Sequence, residues 1–138
     1  MNFPRLVASL GAALALAGSA AVAASSDGPA RIGVLSNNQR ALQTPEGLTL
    51  YVYDKDPIGK GISNCFDTCV NSWPPFRPAS AQAARGKSGG DWTVIARDDG
   101  SKQWAYKGRP LYRFYRDDKP GASNGAFFEG GQWSIAHP

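Results

Sequence analysis

The sequence predicts a small all-β domain: an antiparallel, barrel-like meander from a degenerate two-fold repeat, interrupted by one irregular, disulfide-pinned loop. Three observations predict it. One phrase occurs twice, as Gly47-Leu48-Thr49-Leu50-Tyr51-Val52-Tyr53-Asp54-Lys55-Asp56 and as Gly108-Arg109-Pro110-Leu111-Tyr112-Arg113-Phe114-Tyr115-Arg116-Asp117. Its glycine, leucine–tyrosine pair, aromatic and aspartate recur at a constant offset of 61 residues, and Trp73 and Trp133 close the copies at an offset of 60. Such repetition marks one folding unit used twice, over about 47–73 and 108–133. Short β-branched and aromatic runs bounded by turn residues are the second observation. The third is punctuation by 16 glycines and 10 prolines, which favours short elements joined by turns.

The N-terminus reads as an export signal. Arg5 supplies the positive region, Leu6 to Ala17 an apolar stretch of 12 residues, and Ala21-Val22-Ala23-Ala24 a small-residue cleavage site after Ala23. That layout is too short and too weakly flanked for a bilayer-spanning anchor. Residues 1–23 are therefore expected to be a signal peptide and 24–138 a single domain. Cys65 and Cys69 are the only cysteines, so no cysteine stands at the cleavage point to carry a lipid, and no membrane anchor is expected. Periplasmic or secreted localisation follows. Removing 23 of 138 residues leaves 115, enough for one modest core. With 15 basic and 11 acidic residues, one of the basic being Arg5, the mature charge is +3. No run of five like charges occurs, so the balance suits solubility and excludes nucleic acid as an expected partner.

Along the mature chain, residues 25–30 form a small-residue leader, Ile32–Leu35 a first strand, and Ser36-Asn37-Asn38 its turn. Pro45-Glu46-Gly47 makes a second turn. Leu48–Tyr53 then reads as a strand, with Leu48, Leu50 and Val52 on one face and Thr49, Tyr51 and Tyr53 on the other. Both faces are largely apolar, as in a strand covered on two sides. Residues 57–90 are rich in glycine and proline and predict loop, with one helical turn over Ala79–Ala84. Trp92–Ala96, the turn Asp98-Asp99-Gly100, Lys102–Tyr106, the turn Lys107-Gly108 and Leu111–Tyr115 predict a three-strand meander. Gln132–Ala136 is the expected last strand.

Few residues offer chemistry. Cys65 and Cys69 in C-x-x-x-C spacing predict a disulfide in an exported protein. Its alternative is a redox or metal-handling role through the two sulfurs, which would call for C-x-x-C spacing or a depressed thiol pKa, or for reduced thiols and a soft metal such as Cu(I). Haem attachment needs a histidine directly after the second cysteine, where Val70 stands. His137 is the only histidine, so no histidine-based zinc site or serine triad is expected. Asp54-Lys55-Asp56 lacks the remaining ligands of a calcium loop. Asp56 and Asp117 each precede a proline and glycine, Pro57 and Gly59 or Pro120 and Gly121. Both are expected to accept backbone N–H groups and shape a turn. No catalytic residue, metal or cofactor is therefore expected. Trp73, Trp104 and Trp133 are the candidate aromatic binding surface, provided the fold leaves them exposed.

These residues resemble the bacterial secreted-repeat family, often called predicted lipoproteins, with its Y-x-(F/W/Y)-x-x-D motif. The motif stands at Tyr51, Tyr53 and Asp56, and again at Tyr112, Phe114 and Asp117. The resemblance extends through Cys65, Cys69, Trp73-Pro74-Pro75, Gly100, Gln103-Trp104, Tyr106, Gly108, Pro110-Leu111 and Pro120-Gly121 to Trp133. It covers most of residues 47–133 and implies a family of unknown function. Many members are lipid-anchored, a property that this chain departs from. The sequence thus predicts an exported, non-catalytic binding or envelope-accessory protein, whose partner is an unknown small molecule or envelope protein.

Overall fold

The computed structural model describes residues 28–85 and 90–138; the expected signal peptide lies outside them. Among the described residues, seven short strands and three short helices follow one another. They are β1 (Arg31–Val34), β2 (Arg40–Gln43), β3 (Tyr51–Tyr53), α1 (Cys69–Ser72), α2 (Ala81–Arg85), β4 (Trp92–Ala96), β5 (Lys102–Tyr106), β6 (Arg109–Pro110), α3 (Phe128–Gly131) and β7 (Trp133–Ile135). All pairings are antiparallel, in three separate sheets of order β1-β2, β3-β7 and β4-β5-β6. The expected closed, barrel-like sheet does not form among the described residues. The helix α3 is a coiled turn more than a regular helix, because Glu129 and Gly130 are left-handed within it.

The meander is present, with Asp98-Asp99-Gly100 turning β4 into β5. Asp99 Oδ1 accepts the Ser101 N–H at 2.9 Å and its hydroxyl at 2.5 Å, and Gly100 takes φ +83°. Its third strand is only two residues long. The expected strand Leu111–Tyr115 is not a regular strand, although most of its backbone lies against one neighbour. Leu111 N–H donates to Trp104, Tyr112 to Tyr51, Arg113 to Pro74 and Tyr115 to Ser72. Residues 72–76 run antiparallel to it in one register, with Phe76 N–H donating to Leu111 O and a bridge Pro75↔Tyr112, but Pro74 and Pro75 have no N–H to return, so the ladder stays incomplete. The expected strand Leu48–Tyr53 is likewise shortened to Tyr51–Tyr53, with Thr49 bridging Gln43. Strand β2, which pairs with β1 from Arg31↔Gln43 to Val34↔Arg40, is an addition that the sequence pattern did not predict.

Two rings of backbone hydrogen bonds tie the sheets together. Leu50 donates to Leu42, Leu42 to Ala136 and Ala136 to Leu50, over 2.8–2.9 Å. Leu111 donates to Trp104, Trp104 to Phe76 and Phe76 to Leu111, again over 2.8–2.9 Å. All six residues are buried and belong to one apolar cluster, completed by Ala30 and Trp92. Strand alternation sends the next residues, Tyr51 and Tyr112, into a second cluster with Cys65, Trp73, Phe114 and Trp133. The duplicated leucine–tyrosine pair therefore spans two cores, leucine in one and tyrosine in the other.

Candidate functional site

The two motif copies meet in the second core. Tyr51 N–H donates to Tyr112 O at 2.8 Å, and Tyr112 N–H to Tyr51 O at 3.0 Å. The side chains cross to opposite copies. Tyr51 O–H donates to Asp117 Oδ2, and Tyr112 O–H donates to Asp56 Oδ2 at 2.5 Å. Each aspartate spends its other oxygen on a local turn: Asp56 Oδ1 accepts the Asn64 N–H at 2.7 Å, and Asp117 Oδ1 accepts the Asn124 N–H at 2.8 Å. Both carboxylates are buried, where such charge-assisted bonds are strongest. Asn64 and Asn124 were not foreseen as partners. Their signal was present, since Ser63-Asn64 and Ser123-Asn124 repeat at an offset of 60.

Electrostatics follow from burial. Desolvation and the hydrogen-bonded Asp117 carboxylate raise the Tyr51 phenol well above its usual range. Desolvation and the Asp56 charge do the same to Tyr112. Both phenols remain protonated donors at neutral pH. Burial also raises the Asp56 carboxyl above its ordinary value, against the opposing pull of the Asn64 N–H and the Tyr112 hydroxyl.

The copies differ around these pairs. Ser63 Oγ lies 2.7 Å from Tyr112 Oη and accepts from Arg97 Nη1 at 2.8 Å, and Arg97 also donates to Gln103 Oε1 at 2.7 Å. In the other copy Tyr51 Oη instead accepts the Gly125 N–H at 3.3 Å. Cys65 and Cys69 form the expected disulfide, with Cα atoms 5.3 Å apart. Sixty residues further on stand Gly125 and Glu129. Glu129 Oε2 accepts the Trp133 Nε1–H at 3.2 Å, whereas Trp73 Nε1 is buried without a partner. Cys69, committed to the disulfide, occupies the position that a carboxylate fills beside Trp133.

Trp73 and Trp133 stack on one another, with centroids 3.8 Å apart and planes within 6°. Tyr53 stacks on the far side of Trp133 at 4.2 Å, and Tyr51, Phe114 and Tyr112 contact the pair edge-on or tilted. Both indoles are at most 1% exposed and Trp104 is 5% exposed. The expected exposed aromatic surface is therefore not there. The rings are core because their large faces pack on one another where the two copies meet. Trp104 borders a concavity. A cleft of about 490 Å³ has Leu48, Pro74, Pro75, Phe76 and Trp104 among its lining residues, with Glu46, Arg77 and Arg113 as its charged members.

A second cavity, about 400 Å³, lies beside the disulfide and is lined by Ser63, Phe66, Val70, Arg97 and three aspartates, Asp67, Asp98 and Asp99. Among the described residues no group of three or more histidine, cysteine or acidic side chains could hold a metal ion. No helix there is long and apolar enough to cross a membrane. Searches of curated proteins and of solved structures return no match. A family model described as a secreted repeat of unknown function matches twice, over residues 38–77 and 93–137, and these matches cover more than half of the chain. The chain belongs to this family of secreted repeats of unknown function.

Proposed function

We propose that the chain is an exported, non-catalytic binding or envelope-accessory module. In this reading the two motif copies are a degenerate two-fold scaffold and the Trp104 cleft is the ligand site. One observation carries it: both motif aspartates and both motif tyrosine hydroxyls are buried and committed to one another across the copies. Groups so engaged shape backbone and core, and are not free to take up a substrate. The cleft, in contrast, has an apolar lining with a few charged groups, the usual composition of a small-molecule site. Residues 1–23 act as the signal that delivers the domain to the periplasm or the medium.

Native mass spectrometry of the protein purified under mild conditions from its own host tests this reading. A bound small molecule, lost when Ala79 in the cleft wall is replaced by glutamate, is the expected result. Asp56→Asn and Asp117→Asn supply the control on catalysis. Each is expected to lower thermal stability, and loss of an activity with unchanged stability would overturn the scaffold role.

A second reading, a redox or metal-handling accessory, is favoured by the placement of the disulfide. Cys69 is only half-buried, and its neighbours Phe66 and Val70 line the second cavity. Thiol titration against a graded dithiol buffer separates the two readings. Cysteines that stay oxidised under strongly reducing conditions exclude the redox role, and a labile pair, or copper retained by the reduced protein, favours it.

A further inference from the structure

We infer that the Trp104 cleft takes a small organic acid, with a flat apolar body against Phe76 and Trp104 and its oxyanion at Arg113 and Arg77. The inference rests on the binding reading above and adds the ligand's chemistry.

The floor is prebuilt. Phe76 and Trp104 are two of the three members of one backbone ring, so their positions are set by the core and not by a ligand. Each is almost fully buried, at 8% and 5% exposure, yet both line the cavity. A floor held this way loses little freedom on binding. The opposite wall is the 44–48 turn, closed by Thr44 N–H to Leu48 O at 2.8 Å and Leu48 N–H to Thr44 Oγ1 at 3.2 Å. Arg113 is anchored through its N–H to Pro74 O at 2.8 Å, which sets its side chain, half-buried, at the cleft.

Charge decides the class. Arg77, Arg113 and Glu46 are the charged residues lining the cleft, two cations against one anion. Glu46 is fully exposed, and its carboxyl is held below its usual range first by its own backbone N–H, then by the Thr44 hydroxyl, with Arg113 the weakest cause. Glu46 is thus only a weak partner of Arg113, while Arg77 also acts on the Asp99 carboxyl. A guanidinium beside an apolar floor suits the planar, two-oxygen head of an organic acid. The same construction recurs on the other copy. A cavity of about 360 Å³ is lined by Lys107, Arg109, Ser134, Ile135, Ala136 and Val52, the positions 60 or 61 residues from Glu46, Leu48, Pro74, Pro75, Phe76 and Arg113. There too the charged lining is two cations, Lys107 and Arg109, against one anion, Asp54. Individual residues have changed between the copies, and the excess positive charge beside an apolar wall is present in both. Ala136 in place of Phe76 leaves the second cavity without the flat floor, so the first is the site for a ring-bearing acid.

The test uses two probes with one ring system, 2-naphthoate and the neutral 2-naphthylmethanol, titrated calorimetrically into the exported domain. Chemical-shift changes at the Trp104 indole locate binding. The expected result is naphthoate binding at least tenfold tighter than the alcohol. That preference should shrink with added salt, fall severalfold in Arg113→Gln and in Ala79→Glu, and persist in the control Arg109→Gln. Ala79 is exposed, so Ala79→Glu decides the matter should Arg113→Gln fold poorly. Equal binding of acid and alcohol, unmoved by Arg113→Gln but lost in Ala79→Glu, overturns the organic-acid inference while the cleft stands as a binding site. Binding of neither probe, or shifts mapping away from Trp104, overturns the inference and the cleft's role together.

Discussion

At the residue scale, the reciprocal tyrosine–aspartate pairs govern stability. Tyr51→Phe or Tyr112→Phe removes a donor from a buried carboxylate and should lower unfolding free energy by about 1.5–3 kcal/mol, measured by urea titration. The pH dependence has a definite sign. Burial raises the Asp56 carboxyl in the folded state, so the unfolded chain ionises it first. The stability it contributes is complete below the ordinary aspartate range and declines as pH rises through its raised folded value. The advantage of the wild type over Asp56→Asn should accordingly be greatest in acid and shrink on approaching neutrality; an advantage that grows with pH would refute the assignment. Gly125 is the other sensitive point. A Cβ there would meet Trp73 Cη2 at 2.8 Å and Phe114 Cγ at 2.9 Å. Gly125→Ala should therefore cost about 1–3 kcal/mol through overpacking, seen as a lowered melting temperature.

At the element scale, the disulfide closes a loop of only four residues in separation. The chain-entropy relation assigns such a loop about 2 kcal/mol. The double variant Cys65→Ala, Cys69→Ala should lose about that amount in chemical denaturation and still melt cooperatively, because Trp73 is also held by Trp133 and Phe114. Elements were legible where local chemistry decides them. The hairpin turn Asp98-Asp99-Gly100, the strands Trp92–Ala96 and Lys102–Tyr106, and the helical turn near Ala81 all follow from nearby residues. Strand β2 was not legible, since Arg40-Ala41-Leu42-Gln43 carries no β-branched or aromatic residue and is a strand only because β1 and Ala136 take its backbone groups. Leu111–Tyr115 erred in the opposite sense. Its composition favours a strand, but the segment antiparallel to it carries Pro74 and Pro75, which offer no N–H to a ladder.

At the scale of the whole molecule, the two halves complete one another. Tyr51 bonds to Asp117, Tyr112 to Asp56, Trp73 stacks on Trp133, and β3 pairs with β7 in the register Tyr51↔Ile135 to Tyr53↔Trp133. A fragment ending at residue 85 should therefore show no cooperative melt by circular dichroism, alone or with added ligand. A sharp transition in that fragment would show the copies to be independent units.

The sequence alone determined the duplicated phrase with its spacing, the disulfide and the family. Each of these is written in residue identity and separation along one chain. Tertiary structure decided that each tyrosine serves the aspartate of the other copy, that the tryptophans are core instead of a binding face, and that a cleft opens beside Trp104. Those outcomes depend on which distant segments share a backbone or a core, and spacing along the chain does not record distance across it.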